Sequence, residues 1–131
     1  MKIREVGYLP FVQVTLEHQG VKIKFENALL DTGSAATVFP SELLEESGIE
    51  PPPNAIVREI SGIGGGMEYV LEYSVDAVEV NGLRVEDFVI HSGQADYGYG
   101  FNAFVGFDFL KATRALVDFG RMQIGVTNDL D

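Results

Sequence analysis

The sequence predicts an all-β fold: a closed barrel or sandwich of short strands and hairpins, with one or two short helices. Short runs rich in β-branched and aromatic residues recur along its 131 residues, and turn signals punctuate them roughly every 8–12 residues. Only two stretches carry helical signals, and both are brief. That combination belongs to antiparallel-rich β architectures rather than to alternating βαβ units.

Each element can be justified in turn. Residues 8–17 read as a strand from their partial alternation. His18-Gln19-Gly20 forms a turn, and Val21 to Leu30 returns as a second strand with Val21, Ile23 and Phe25 alternating against Lys22, Lys24 and Glu26. Ala36 to Phe39 reads as a short strand. A helix is expected over Glu42–Ser47, with Ser41 as N-cap and Gly48 as terminator. After the stiff Pro51-Pro52-Pro53 connector, Ala55–Ile60 and Met67–Tyr73 flank the glycine-rich tip Gly62-Ile63-Gly64-Gly65-Gly66, which reads as a hairpin with a mobile end. Ser74–Val80 and Leu83–His91 flank Asn81-Gly82, the strongest short hairpin signal in the chain. Ser92–Phe101 is expected to be a loop. Ala103 to Leu110 reads as an apolar strand broken by Gly106 and leading into a short helix through about Thr113. Leu116–Phe119 and Met122–Val126 form a last hairpin, with a frayed tail beyond.

Composition narrows the function. The length suits a single domain with one core, so residues 1–131 are expected to form one unit. No stretch approaches the roughly 18 apolar residues of a membrane helix. The basic N-terminus lacks a following apolar segment, so no signal peptide is read and a cytoplasmic location is expected. The chain has no cysteine, which excludes disulfides, thiolate metal sites and cysteine catalysis. A net charge of −11 argues against nucleic acid or an anionic membrane as partner. His18 and His91 are expected at the surface or at strand edges, and no metal or other cofactor is expected.

One stretch carries chemistry: Ala28-Leu29-Leu30-Asp31-Thr32-Gly33-Ser34-Ala35. An apolar run delivers a carboxylate onto a tight turn with hydroxyls on both sides of a glycine. A carboxylate at the edge of a core must be paired, hydrogen-bonded or protonated. In isolation, Asp-Thr-Gly is more often an ordinary turn. Other candidates are weaker. Gly62-x-Gly64-Gly65-Gly66 is not followed by Lys-Ser/Thr and opens no helix between parallel strands, so phosphate binding fails its context. Asp118-Phe119-Gly120 is expected to be a hairpin turn. Asp108, at the start of a short helix, is expected to be its N-cap rather than a second catalytic acid.

Leu-Leu-Asp-Thr-Gly-Ser-Ala followed by Thr37-Val38-Phe39-Pro40 resembles the active-site segment of the retropepsin-like aspartic proteases. The glycine-tipped hairpin falls where that family has its flap. Val105-Gly106-Phe107-Asp108-Phe109-Leu110 is similar to the family segment that crosses beneath the catalytic turn. The resemblance implies a retropepsin-like barrel with Asp31 catalytic, Thr32, Gly33 and Ser34 supporting the turn, and Ile63, Gly64, Gly65 and Gly66 in a flap over a cleft at the dimer interface. Ser34 would support the outer carboxylate oxygen, and Val105 and Phe107 would line apolar pockets or belong to the core. Two-lobed relatives hold two such motifs, and this chain holds one. The implied enzyme is therefore a homodimer acting on a peptide or protein through one Asp31 from each subunit. The alternative is a non-catalytic module of the same fold that dimerises or binds a peptide, and a weaker one is a small-ligand barrel with an apolar cavity.

Overall fold

The computed structural model describes residues 2–61, 66–94 and 102–126. It contains β1 (Arg4–Val6), β2 (Leu9–His18), β3 (Val21–Leu30), β4 (Val38–Pro40), α1 (Ser41–Glu46), β5 (Ile56–Ser61), β6 (Met67–Val80), β7 (Leu83–Gly93), β8 (Ala103–Val105), α2 (Phe107–Ala112), β9 (Leu116–Asp118) and β10 (Gln123–Gly125). Neighbouring strands run β1-β2-β3-β8-β4-β7-β6-β5, and a further β2–β6 pairing joins the sheet to itself. Six strands thereby close into a barrel, leaving β1 and β5 attached outside it. Closure removes most exposed edges, which is how small antiparallel-rich folds avoid unwanted strand pairing. The fold is the expected all-β, retropepsin-like class.

Burial explains the closure. Val14, Leu16, Phe25, Phe39, Val78, Val80, Ile90 and Phe109 are buried in one continuous core. Phe25 packs on Phe39 with ring centroids 5.1 Å apart, and Phe88 meets Phe109 edge-on at 5.9 Å, both favourable aromatic geometries. A smaller cluster of Phe11, Leu29, Ala36, Val38 and Phe104, with Ile60 against it, lies on the opposite face of the sheet. Leu29 therefore points into one cluster while Leu30 points into the other, which is why the end of β3 is oily on both faces.

Several expectations need correction. The predicted break between Tyr73 and Ser74 is absent: β6 runs unbroken for 14 residues because partners on β5, β7 and β2 pair along it. Ser41 does not cap α1 but begins it; Pro40 holds the N-cap position without a side-chain cap bond. The expected terminator is correct. Gly48 takes φ +89°, and the amides of Gly48 and Ile49 donate to the carbonyls of Glu45 and Leu44, the paired bonds of a Schellman ending. Strand β1 was not foreseen. It is three exposed residues long, folded back on β2 over Gly7 and Tyr8, both with left-handed φ. The histidines are half-buried rather than on the open surface: His18 ends β2 and lies 3.6 Å from Asp76, and His91 on β7 lies 3.5 Å from Glu72, their side chains 14% and 15% exposed. The tail beyond Val126 and most of the 92–101 loop lie outside the described residues, although Ser92 and Gly93 complete β7.

Candidate active site

Asp31 follows directly on β3, and topology explains the turn that holds it. Strand β8 lies between β3 and β4, parallel to the first and antiparallel to the second. The link from β3 to β4, residues 31–37, must therefore pass over the end of β8, where Gly106 sits. The passage is close. A Cβ on Gly106 would lie 2.2 Å from the Ala36 carbonyl oxygen and 2.8 Å from that of Ser34. Only glycine fits there, because both obstacles are backbone.

The two segments are bonded at every level. The Asp31 amide donates to Val105 O (2.9 Å), continuing the β3–β8 ladder into the turn. Phe107 N–H donates to Ser34 O at 2.7 Å, and His91 N–H donates to Thr37 O at 3.1 Å. Thr37 is fully buried. Its hydroxyl donates to Asp108 Oδ1 (2.7 Å) and accepts from Gly106 N–H (3.0 Å), while its amide donates to Asp108 Oδ2 (3.2 Å). Asp108 also accepts from Phe109 N–H at 2.8 Å. A carboxylate taking three such bonds is satisfied without a cation.

These bonds correct the reading of Asp108. It lies inside the first turn of α2, whose N-cap position is Gly106. Its carboxylate faces Thr37, so it is neither the N-cap nor a partner for Asp31. Sequence inspection missed Thr37 as its partner. The available signal was a β-branched hydroxyl in an otherwise apolar Val-Phe strand, which needs a buried acceptor.

Within the turn, Gly33 N–H donates to Asp31 Oδ1 (3.1 Å) and Ser34 N–H to Asp31 O (3.1 Å). The glycine amide thus reaches the carboxylate, as the motif suggested. Ser34 departs from expectation: its hydroxyl is engaged by Ala36, donating to O at 2.8 Å and facing N–H at 3.4 Å. Support for the carboxylate therefore comes from the backbone. Thr32 and Gly33 are exposed and Asp31 is half-buried. Val105 is core, whereas Phe107 is 54% exposed. Ile63, Gly64 and Gly65 lie outside the described residues; Gly66, at their border, is exposed.

The strands leading to that tip are tied at their base. Arg58 on β5 donates to Glu72 on β6 at 2.8 Å, and this bond holds the Glu72 carboxyl below its ordinary range. A groove of about 360 Å³ lies beside this base, lined by His18, Asn54, Ile56, Glu72 and Val89 among others. None of the turn residues lines it. Inside the barrel the described side chains form one large buried apolar cluster. Among the described residues, no group of three or more His, Asp or Glu side chains is placed to hold a metal. No helix there is long and apolar enough to cross a membrane.

What the arrangement can do chemically is limited by number. One carboxylate, held by one amide and open to solvent, can orient a water but cannot supply both the base and the acid of peptide hydrolysis. No curated protein matches the chain. A family described as aspartyl protease matches residues 12–109, a span that begins in β2, contains the Asp31 turn and ends at Phe109 beneath it. The chain belongs to this aspartyl protease family of the retropepsin-like clan.

Proposed function

We propose that the protein is a homodimeric aspartic endopeptidase whose catalytic dyad is Asp31 from each of two identical subunits. The observation that carries this reading is the turn itself: a half-exposed Asp31 beside a bonded Gly33 amide, on a backbone locked to residues 105–108. Such rigidity is what a preorganised site requires, because an ångström of play costs rate. The sequence holds a single Asp-Thr-Gly, and in this reading the second carboxyl comes from another copy.

In the dimer, two carboxyl groups a few Å apart share one proton. The ionised one takes a proton from the attacking water, and the protonated one hydrogen-bonds the peptide carbonyl as it becomes tetrahedral. The proton then moves to the leaving amine. Thr32 and Gly33, exposed beside the carboxylate, are available to a second subunit and to substrate backbone. The β5–β6 hairpin, carrying Ile63, Gly64, Gly65 and Gly66, closes over the bound peptide and excludes water.

The test pairs Asp31→Asn with a hydroxyl-bearing mimic of the tetrahedral species. Asn keeps the shape of the side chain and loses the shared proton. The variant is expected to stay folded and dimeric with less than about 1% of wild-type turnover, and only the wild type should bind the mimic tightly. A folded wild-type dimer that cleaves no peptide and gains nothing from the tetrahedral hydroxyl would instead support the non-catalytic module.

A further inference from the structure

The end of the sheet that carries Asp31 is flanked by exposed apolar side chains. Continuing the Phe11–Leu29 and Val12–Ala28 register by two residues sets Leu9 opposite Asp31. On the other side of β3, the parallel β8 ends at Val105, and Gly106 delivers Phe107 at the start of α2. Leu9, Asp31 and Phe107 thus stand on three adjacent strands' ends, spanning roughly 10 Å at normal strand spacing. Beyond Leu9, the β1–β2 turn projects Tyr8, which is 93% exposed, with Val6 at 58%.

Tyr8 is placed there at a cost. Its φ of 64° is left-handed, a conformation that disfavours a non-glycine residue by about 1–2 kcal/mol. The paired positive φ values of Gly7 and Tyr8 are those of a type I′ turn, where Asn or Gly serves better. A large aromatic at this strained position is left almost wholly in water, an arrangement that persists where function repays it.

Charge points to the occupant. Residues 6–16, 27–41 and 102–107 at this end hold one charged side chain, Asp31, and Arg4 and Glu5, of opposite sign, sit beside them on β1. The whole chain carries −11, so two copies repel through most of their surfaces. This sparsely charged, apolar end is where like-charged copies can meet.

Building on the dimeric reading above, we infer that Tyr8, Leu9 and Phe107 form an apolar collar around Asp31 that packs against a second copy of this chain. The collar brings the two carboxylates together through apolar contact rather than through ion pairs. Association then tightens with salt, because screening weakens the repulsion and no attractive pair is lost. A peptide is the competing occupant, and the test separates the two.

Sedimentation equilibrium of the full chain is run on the wild type, Tyr8→Asn, Phe107→Ser and Val89→Thr, the last altering an exposed apolar residue beside the distant groove. Asn accepts a left-handed φ more readily than Tyr, so Tyr8→Asn is expected to keep or raise the melting temperature of the monomer, read at a concentration below dimerisation. It and Phe107→Ser are nevertheless expected to weaken dimerisation about ten-fold or more, with Val89→Thr unchanged. The wild-type dimer should tighten between about 0.05 and 0.5 M salt. A dimer unaffected by Tyr8→Asn and Phe107→Ser, or one that loosens with salt, overturns the collar. So does a raised KM with an unaltered dimer, which would assign these side chains to the peptide. Peptidase activity is measured separately. A collar-dependent dimer without activity defeats the endopeptidase and leaves the collar standing, whereas an active dimer indifferent to both substitutions does the reverse.

Discussion

Replacing Thr37 by Val tests whether the buried hydroxyl holds the candidate catalytic turn in place. The two side chains have nearly the same shape, and the site is closed to solvent, so packing changes little. Two bonds are lost. The Gly106 amide loses its acceptor at 3.0 Å, and a buried unsatisfied N–H costs about 1–3 kcal/mol. Asp108 loses a donor at 2.7 Å; bonds to charged groups contribute about 1.5–3 kcal/mol. Part of the second loss is offset, because Asp108 still accepts from the amides of residue 37 and Phe109, and the added methyl recovers under about 1 kcal/mol. The net expectation is destabilisation of about 3 kcal/mol. Thr37→Ser keeps both bonds and removes one methyl, about 1 kcal/mol. Urea unfolding reads both as shifts in midpoint at constant slope. Turnover should fall for Val and largely survive for Ser, since the turn over residues 31–37 is anchored here. If Val is no worse than Ser, the hydroxyl network does not support the turn, and the account of Asp108 fails with it.

Gly106→Ala forces a Cβ against two carbonyls that cannot move aside; it should destabilise by about 3 kcal/mol or more and abolish activity, read by thermal melting and peptide cleavage. Arg114 sits at the end of α2 with φ 57°, its amide bonded to Lys111 O and that of Ala115 to Leu110 O, a glycine position held by arginine. Arg114→Gly should therefore leave stability unchanged or raise it by up to about 1 kcal/mol, and a clear drop in melting temperature would refute the strain. Arg58 holds the Glu72 carboxyl below its ordinary value of 4.5, and a carboxylate with a lowered folded value stabilises above its unfolded value and loses that contribution as pH falls through the folded one. Arg58→Met should accordingly lower the melting temperature at neutral pH, with the difference from wild type shrinking below about pH 4.5. A difference that grows in acid would contradict this ion pair's direction.

Local signals made the framework legible. Val21–Leu30 shows its alternation in the sequence and forms β3 with those bounds. The break of Ala103–Leu110 at Gly106 marks the change from β8 to α2. Asp31 stood out because an apolar run ends on it beside a glycine. What remained hidden is long-range or strained. Nothing near Thr37 announces that its acceptor is Asp108, 71 residues away. Gly7-Tyr8 lacks the usual turn dipeptides, so β1 went unseen. His91 reads as an ordinary polar residue of an outer face, and only its position between β4 and β6 brings Glu72 close enough to cover it. Splitting β6 at Tyr73 followed from treating each hairpin alone, when one strand serves both.

The crossing of residues 31–37 over β8 has a consequence in time. The pairing of Leu29 with Phe104 and the bonds from Thr37 to Asp108 join segments more than seventy residues apart. Contacts of such separation form late, since the intervening chain must be organised first. During synthesis the β2–β3 hairpin can form as soon as both strands have emerged, but Asp31 then ends a strand with nothing beneath it. The amide partners, the glycine seat and the buried acceptor all arrive with residues 103–109. A growing chain therefore carries Asp31 on an unassembled turn, and the bonded geometry around it is deferred until the barrel can close.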